Sequence, residues 1–262
     1  MFVLIIYELS KHVIMTIQKK YLFLLIAGII LSITACTKKD KKSGFIDPNQ
    51  ELLVGLPEVD GYDHTYNYDF EILKERENVE FYKPVSLNDG LSRIPIEMRN
   101  KINLIANSDL PFVPQTVESN IVTSWNDKNK LVFQIQISYL ENDLAYDTNF
   151  KDFFIVSITQ YPDDPFADEI NKATLEENLP STYQILTLSE NHPLYYQPSF
   201  GNWPRMFDYY YYNEDDNRMY KESTGSYQYY AWYDGLIYKI GCNMDIDTVD
   251  PETLVRKIIL GN

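Results

Sequence analysis

Alternating apolar and polar residues mark the middle of the chain as β structure. Residues 117–125 and 131–140 both alternate, and the five polar residues between them predict a hairpin turn. Residues 153–161 repeat the pattern and predict a third strand. On the second strand, alternation places five side chains on one face: Leu131, Phe133, Ile135, Ile137 and Tyr139.

The C-terminal part continues with shorter strands and ends in a helix. Residues 183–188 predict one strand, and a four-stranded meander is predicted over 206–212, 218–223, 226–233 and 236–243. Asp234-Gly235 has the composition of a two-residue hairpin turn. The final helix is predicted to start with Asp250 as N-cap and Pro251 at the first helical position, and its inward face carries Leu254, Ile258 and Ile259.

Helices are also predicted over residues 96–106 and 168–179. Before them, residues 45–69 are rich in turn formers, with at most a short strand near 52–56, and residues 71–82 fit either a strand or a helix. Strands flanked by helices indicate an α+β fold, with an antiparallel sheet of about seven to nine strands, a C-terminal helix and one or two flanking helices. The predicted parts are an irregular and helical segment, 46–109, and an antiparallel α+β domain, 110–262.

The N-terminus carries an export signal. A 15-residue apolar run over 21–35 follows Lys19 and Lys20, and small residues follow it. A helix of that length spans ~22 Å, less than the ~30 Å of a bilayer core, which argues against a transmembrane helix. Residues 1–14 add a separate apolar piece, so Met15 is the expected start of translation.

The end of this run, Ile33-Thr34-Ala35-Cys36, resembles the lipobox of bacterial lipoproteins. The resemblance implies that residues 1–35 are removed, that Cys36 carries a diacylglyceryl group, and that the protein is held on a membrane by acyl chains. The alternative is an ordinary secretory signal with a chance cysteine. Residues 36–45 are expected to form a flexible tether, in which Lys38, Lys39, Lys41 and Lys42 either contact anionic headgroups or remain solvated.

The net charge of the chain argues against one class of partner. The full sequence has 23 basic and 38 acidic residues, and removal of residues 1–35 leaves a net charge of −17. Such a chain repels phosphate backbones, which argues against a nucleic-acid partner. With Cys36 acylated, Cys242 has no cysteine to pair with and is expected to be a small buried residue.

The chain does not match the motifs for catalysis or metal binding that its residues suggest. Gly225-Ser226 does not fit a nucleophile elbow, and His64 and His192 have no paired metal-ligand spacing. The acidic runs that begin at Asn213 and Asp245 lack the glycine and glutamate of an EF-hand, which leaves solvated turns or a different calcium site. Paired carboxylates such as Asp163-Asp164 could serve glycoside hydrolysis only across a cleft. No catalytic residue, metal site or cofactor is therefore predicted.

Aromatic residues are concentrated between 195 and 233, a stretch that includes four consecutive tyrosines, Tyr209 to Tyr212. Tyrosine and tryptophan combine an apolar body with a polar tip, which suits contact with a peptide, glycan or lipid. The predicted ligand contacts are Trp203, Tyr210, Tyr212 and Tyr229. The alternative interpretation is that these rings only pack and cover the sheet.

The C-terminal segments resemble one family. Trp232-Tyr233-Asp234-Gly235 with the strand and helix that follow, and Leu110-Pro111-Phe112-Val113-Pro114 upstream, are similar to an uncharacterised extracytoplasmic domain found in lipoproteins and after anti-sigma-factor segments. The resemblance covers about 110–260 and implies a concave antiparallel sheet with a helix packed against it. It implies no catalytic residues, and the lipobox replaces the transmembrane helix of the anti-sigma proteins.

The sequence therefore predicts a membrane-tethered, non-enzymatic lipoprotein of the bacterial cell envelope, in an extracytoplasmic location. Its partners are predicted to be the membrane, through Cys36, and a peptide, glycan or lipid ligand on the aromatic sheet. The alternatives are an envelope hydrolase that uses acidic residues and a purely structural lipoprotein.

Overall fold

The fold was determined as a computed structural model. It describes residues 47–62, 77–126, 128, 130–142, 152–164, 167, 183–190, 192–198, 207–245 and 247–261. Twelve strands in this part of the chain form a single sheet. They are β1 Glu58–Tyr62, β2 Glu77–Tyr82, β3 Val85–Ser86, β4 Thr116–Trp125, β5 Leu131–Leu140, β6 Phe153–Gln160, β7 Gln184–Ser189, β8 His192–Gln197, β9 Phe207–Asn213, β10 Arg218–Thr224, β11 Tyr227–Tyr233 and β12 Leu236–Asn243.

The sheet is larger than predicted and is mixed. Its order is β7-β8-β11-β12-β6-β5-β4-β2-β1-β10-β9, with β3 paired to β4 at the side. All pairs are antiparallel except β1 with β10, which run parallel with Asp60 opposite Arg218. The α+β class is consistent with this fold. The predicted strand number was too low because β1, β2, β3 and β8 are short segments without clear alternation.

The central strands follow the predicted alternation. Strands β4 and β5 form the expected hairpin, and β5 pairs with β6 on its other side. The predicted apolar face of β5 is buried, with each of its five residues at most 7% exposed. The opposite face is also buried although it carries Gln134, Gln136 and Ser138. A second layer must therefore cover this polar face.

The predicted four-stranded meander is wrong. The pairs β9–β10 and β11–β12 are both hairpins, but β10 continues to β1 while β11 continues to β8. The connection Gly225-Ser226 therefore leads between distant positions in the sheet instead of turning one strand back on the next. Asp234 and Gly235 adopt positive φ of 47° and 81°, as a tight two-residue hairpin turn requires.

The sheet curls so that its last strand, β9, lies on the buried polar face. The Gln136 side chain accepts a hydrogen bond from the Tyr210 amide at 2.7 Å and donates one to the Tyr210 carbonyl at 2.8 Å. Asn120 on β4 donates a longer bond, 3.4 Å, to the same carbonyl. An edge strand exposes unpaired backbone groups, and here side-chain amides of the same sheet satisfy them.

Helices pack on the other face. The predicted C-terminal helix is confirmed as α3, Pro251–Leu260, with Asp250 as N-cap and Gly261 in the left-handed conformation after its end. Leu254, Ile258 and Ile259 are buried in the main core. Two short helices precede it, α1 Leu87–Ser92 and α2 Ile96–Arg99.

The helix predicted over 96–106 forms only in its first turn. The chain then runs to a 3-10 helix, Asn107–Asp109, and the Asn103 side chain donates to the last carbonyls of α3, those of Ile258 and Ile259. Asn103 therefore contacts the end of α3 instead of continuing α2. Residues 48–53 form a 3-10 helix instead of the short strand predicted near 52–56. The predicted helix over 168–179 lies outside the described residues.

Within the described ranges, no helix is long and apolar enough to cross a bilayer. The predicted signal sequence and Cys36 lie outside those ranges.

Candidate functional site

A cleft of about 460 Å³ opens where β9 crosses the ends of β4 and β5. Its floor includes two cross-strand pairs, Thr116 opposite Leu140 and Glu118 opposite Ser138. The facing wall comes from β9 and the turn after it. The lining residues are Lys83, Pro84, Thr116, Glu118, Ser138, Leu140, Tyr210, Tyr211, Tyr212, Asn213, Glu214 and Asp215.

The cleft lies beside the point at which side-chain amides bind the backbone of β9. Gln136 binds the amide and the carbonyl of Tyr210, Asn120 adds a longer bond to the same carbonyl, and the residues that follow Tyr210 line the opening. Gln136 also donates to the hydroxyl of Ser138 at 3.1 Å, and Ser138 lies in the floor of the cleft. The buried amides of Gln136 and Asn120 therefore help to fix the position of β9 next to the cleft.

Three consecutive tyrosines line the cleft. Tyr210 and Tyr212 point toward the inside of the curl, where Tyr210 packs edge-on against Phe81 with ring centroids 5.5 Å apart. The two rings are 7% and 9% exposed, whereas Tyr211 is half-buried. The Tyr212 hydroxyl donates to Asn217 Oδ1 at 2.7 Å, which fixes the ring relative to the β9–β10 turn. Tyr210 and Tyr212 are therefore held by contacts within the domain.

Among the described residues that line the cleft, acidic side chains outnumber basic ones. Glu118 is half-buried in the floor, and Glu214 and Asp215 are exposed at the rim. The cation among the lining residues is Lys83, whose ammonium lies 5.2 Å from the centroid of the Tyr212 ring. This distance is typical of a cation–π contact.

The structure separates the four predicted aromatic contacts. Tyr210 and Tyr212 line the cleft, but Tyr229 is 3% exposed and stacks on Tyr196 within the main core, with ring centroids 4.8 Å apart. Trp203 and Cys36, the predicted lipidation residue, lie outside the described residues. Sequence reasoning missed Lys83, Glu118 and Ser138, which have no local motif and join the cleft only through strand pairing.

The residues considered for catalysis lie away from the cleft. His192 Nδ1 is 2.9 Å from the Ser189 hydroxyl, and its ring stacks on Trp232 at a centroid distance of 5.8 Å. Asp163 pairs with Lys128 at the surface, 3.3 Å apart. His64 lies outside the described residues. In the part of the chain that the structure describes, no group of three His, Cys, Asp or Glu side chains could hold a metal ion.

The two acidic runs considered for calcium form local turns. Asn213 Oδ1 accepts the Asp215 amide at 2.9 Å, and Asp216 accepts the Tyr220 hydroxyl. Asp245 accepts the Asp247 amide at 3.0 Å, while Asp250 caps α3.

Cys242 is buried, as predicted. Its side chain is 0% exposed within the main core, and burial raises the pKa of its thiol far above the ordinary range. A thiol that stays protonated is a poor nucleophile.

Buried tyrosines predict a loss of stability at alkaline pH. Burial raises the pKa of Tyr139 to about 12, and burial with nearby tyrosine and acidic groups raises that of Tyr196 to about 12. The folded state therefore favours the protonated phenol, so this stabilisation is complete below the ordinary pKa near 10 and is lost as the pH rises from 10 through 12. We expect urea-unfolding midpoints to fall across that window. A midpoint that stays constant while tyrosinate absorbance rises would contradict this expectation.

The chain was compared with family models, with curated proteins and with solved structures. None of the three comparisons found a match. The chemistry of the cleft is therefore the basis for the functional interpretation.

Proposed function

We propose that this protein is a lipoprotein of the bacterial cell envelope, anchored through Cys36, and that its cleft binds an extracytoplasmic ligand without catalysing a reaction. The observation that carries the binding part is that Tyr210, Tyr211 and Tyr212 line one cleft at the curled end of the sheet. Tyrosine contributes contact area and a hydroxyl at little entropic cost, which suits recognition surfaces.

The residues of the cleft support binding over catalysis. The described residues that line it include neither histidine nor cysteine, and the hydroxyl of Ser138 accepts a bond from Gln136. A serine nucleophile is ordinarily activated by a base such as histidine within hydrogen-bond reach. The mixed polar and aromatic lining is typical of a binding site.

The anchor is tested by acyl labelling in cells. We expect the native protein to incorporate labelled palmitate and to fractionate with membranes, and Cys36→Ser to abolish both. Cys242→Ser is the matched control, because it removes the other cysteine of the mature chain while leaving the lipobox intact. Equal labelling of the Cys36→Ser variant and the native protein would contradict the proposed anchor.

Binding is tested by recovering the tethered protein from native membranes and identifying what co-purifies. We expect one reproducible ligand, lost in Tyr211→Ala and retained in Tyr220→Ala. Tyr220 lies opposite Tyr211 on β10 but does not line the cleft, so both variants remove a partly exposed tyrosine from the same hairpin. Recovery of the same material with both variants, or of none with the native protein, would favour the purely structural alternative.

A further inference from the structure

We propose that the ligand of the cleft is a peptide segment that carries lysine or arginine side chains. This inference rests on the proposed function, because it names the chemical class that the same cleft would recognise. It is carried by the charge around the cleft, by the contact between Lys83 and Tyr212, and by the burial of the tyrosine faces.

The charge around the cleft favours a cation. Among the described residues that line it, three carry carboxylates, Glu118, Glu214 and Asp215, and one carries an ammonium, Lys83. Carboxylates attract basic side chains and repel phosphate and other anions. The expected net charge of −17 for the processed chain adds long-range attraction for a basic segment.

The contact between Lys83 and Tyr212 shows that one aromatic ring of the cleft wall binds a cation. The Lys83 ammonium lies 5.2 Å from the Tyr212 centroid, so a cation of the protein occupies the ring face. A lysine or arginine of a bound peptide offers the same group and can compete for the same ring. Lys83 is exposed and can move aside at the cost of a weak surface interaction.

A glycan fits the wall less well. Sugars bind aromatic residues by lying flat on an exposed ring, but Tyr210 and Tyr212 are 7% and 9% exposed, and Lys83 already lies over the second ring.

The test is calorimetric titration of the full-length lipoprotein in nanodiscs with three probes. These are a short acetylated peptide with two lysines, the same peptide with two glutamates, and an uncharged oligosaccharide of N-acetylglucosamine. We expect only the lysine peptide to bind, and its affinity to fall as salt is added.

Two sets of variants are expected to change the affinity for the lysine peptide in opposite directions. Lys83→Met removes the competing ammonium and is expected to strengthen binding of the lysine peptide by about 2- to 5-fold. Glu214→Gln with Asp215→Asn is expected to weaken it by about 2- to 20-fold. The matched control is Asp245→Asn with Asp247→Asn, which removes two exposed charges from the turn before α3 and should leave the affinity unchanged.

Failure of this inference is distinguishable from failure of the proposed function. Absence of lysine-peptide binding, or weaker binding in Lys83→Met, would overturn the cationic ligand. If the oligosaccharide bound instead and Tyr211→Ala abolished that binding, the cleft would remain a binding site for another class. Binding of the glutamate peptide would likewise reject the charge argument while retaining the cleft.

Discussion

Replacing Gln136 by methionine is expected to lower the free energy of unfolding by about 1.5–4.5 kcal/mol. The buried Tyr210 amide loses its Gln136 partner at a cost of about 1–3 kcal/mol, and the Tyr210 carbonyl, which keeps the longer bond from Asn120, loses about 0.5–1.5 kcal/mol. Methionine keeps the length of the side chain but cannot pair with both the amide and the carbonyl of Tyr210. Gln136 is 1% exposed, so water does not replace the lost bonds. Urea unfolding of the native and variant proteins measures the effect.

The matched control is Gln134→Met, on the same face of the same strand. Gln134 is 8% exposed, and its amide donates to the hydroxyl of Ser157, a side chain that can rotate toward another partner. We expect a loss of about 0.5–1.5 kcal/mol, as for an ordinary hydrogen bond. Equal losses in the two variants would show that Gln136 has no special role in holding β9.

A second large effect is expected where the β9–β10 hairpin packs on β12. Phe207 is 0% exposed and clusters with Leu140, Phe153 and Ile155. Replacing Phe207 by alanine should cost about 3–5 kcal/mol, because the cavity is closed in on all sides. Gly241 lies directly beneath the ring, and a methyl group added there would overlap it. Gly241→Ala should therefore cost about 1–3 kcal/mol through overpacking.

These two substitutions should not be additive. In the double variant, the methyl group of alanine at position 241 occupies part of the space that the Phe207 ring leaves, so the total loss should be smaller than the two single losses added together. Unfolding free energies of the four proteins in the cycle measure this coupling. Additive losses would mean that the ring does not rest on Gly241, and would contradict the docking of the hairpin.

The regular parts of the fold are predictable from sequence because local rules specify them. Alternation locates β4, β5 and β6 to within one residue, and the capping pattern Asp250-Pro251 locates the start of α3. Periodicity is a strong signal for long strands, and capping residues act on their own backbone. The strands β1, β2 and β3 lack such signals and are formed through pairing with distant residues.

The curl of the sheet is not predictable from local patterns. Alternation assigns Gln134, Gln136 and Ser138 to the polar face of β5, and a polar face is ordinarily solvated. In this protein β9 covers that face, and the polar groups serve as partners for its backbone. The decisive interaction joins residues 74 positions apart, which no periodicity in the sequence indicates.

The residues of the candidate site are likewise not predictable from local patterns. Tyr210, Tyr212 and Tyr229 all lie in tyrosine-rich strands, and composition does not tell which strand meets the cleft. Tyr229 packs in the main core because β11 lies between β8 and β12. Lys83 and Glu118 reach the cleft because β2 and β4 are neighbours in the sheet. These positions follow from strand order, which the predicted meander had assigned incorrectly.

Photo-cross-linking in living cells tests the central claim, that the cleft binds an envelope ligand, most directly. A photoreactive amino acid replaces Glu214 at the rim of the cleft or, as the control, Ile185, which is 53% exposed on β7 at the opposite edge of the sheet. We predict a reproducible adduct from position 214 and none from position 185. Irradiation that gives no adduct at position 214, or the same adducts at both positions, would contradict the claim.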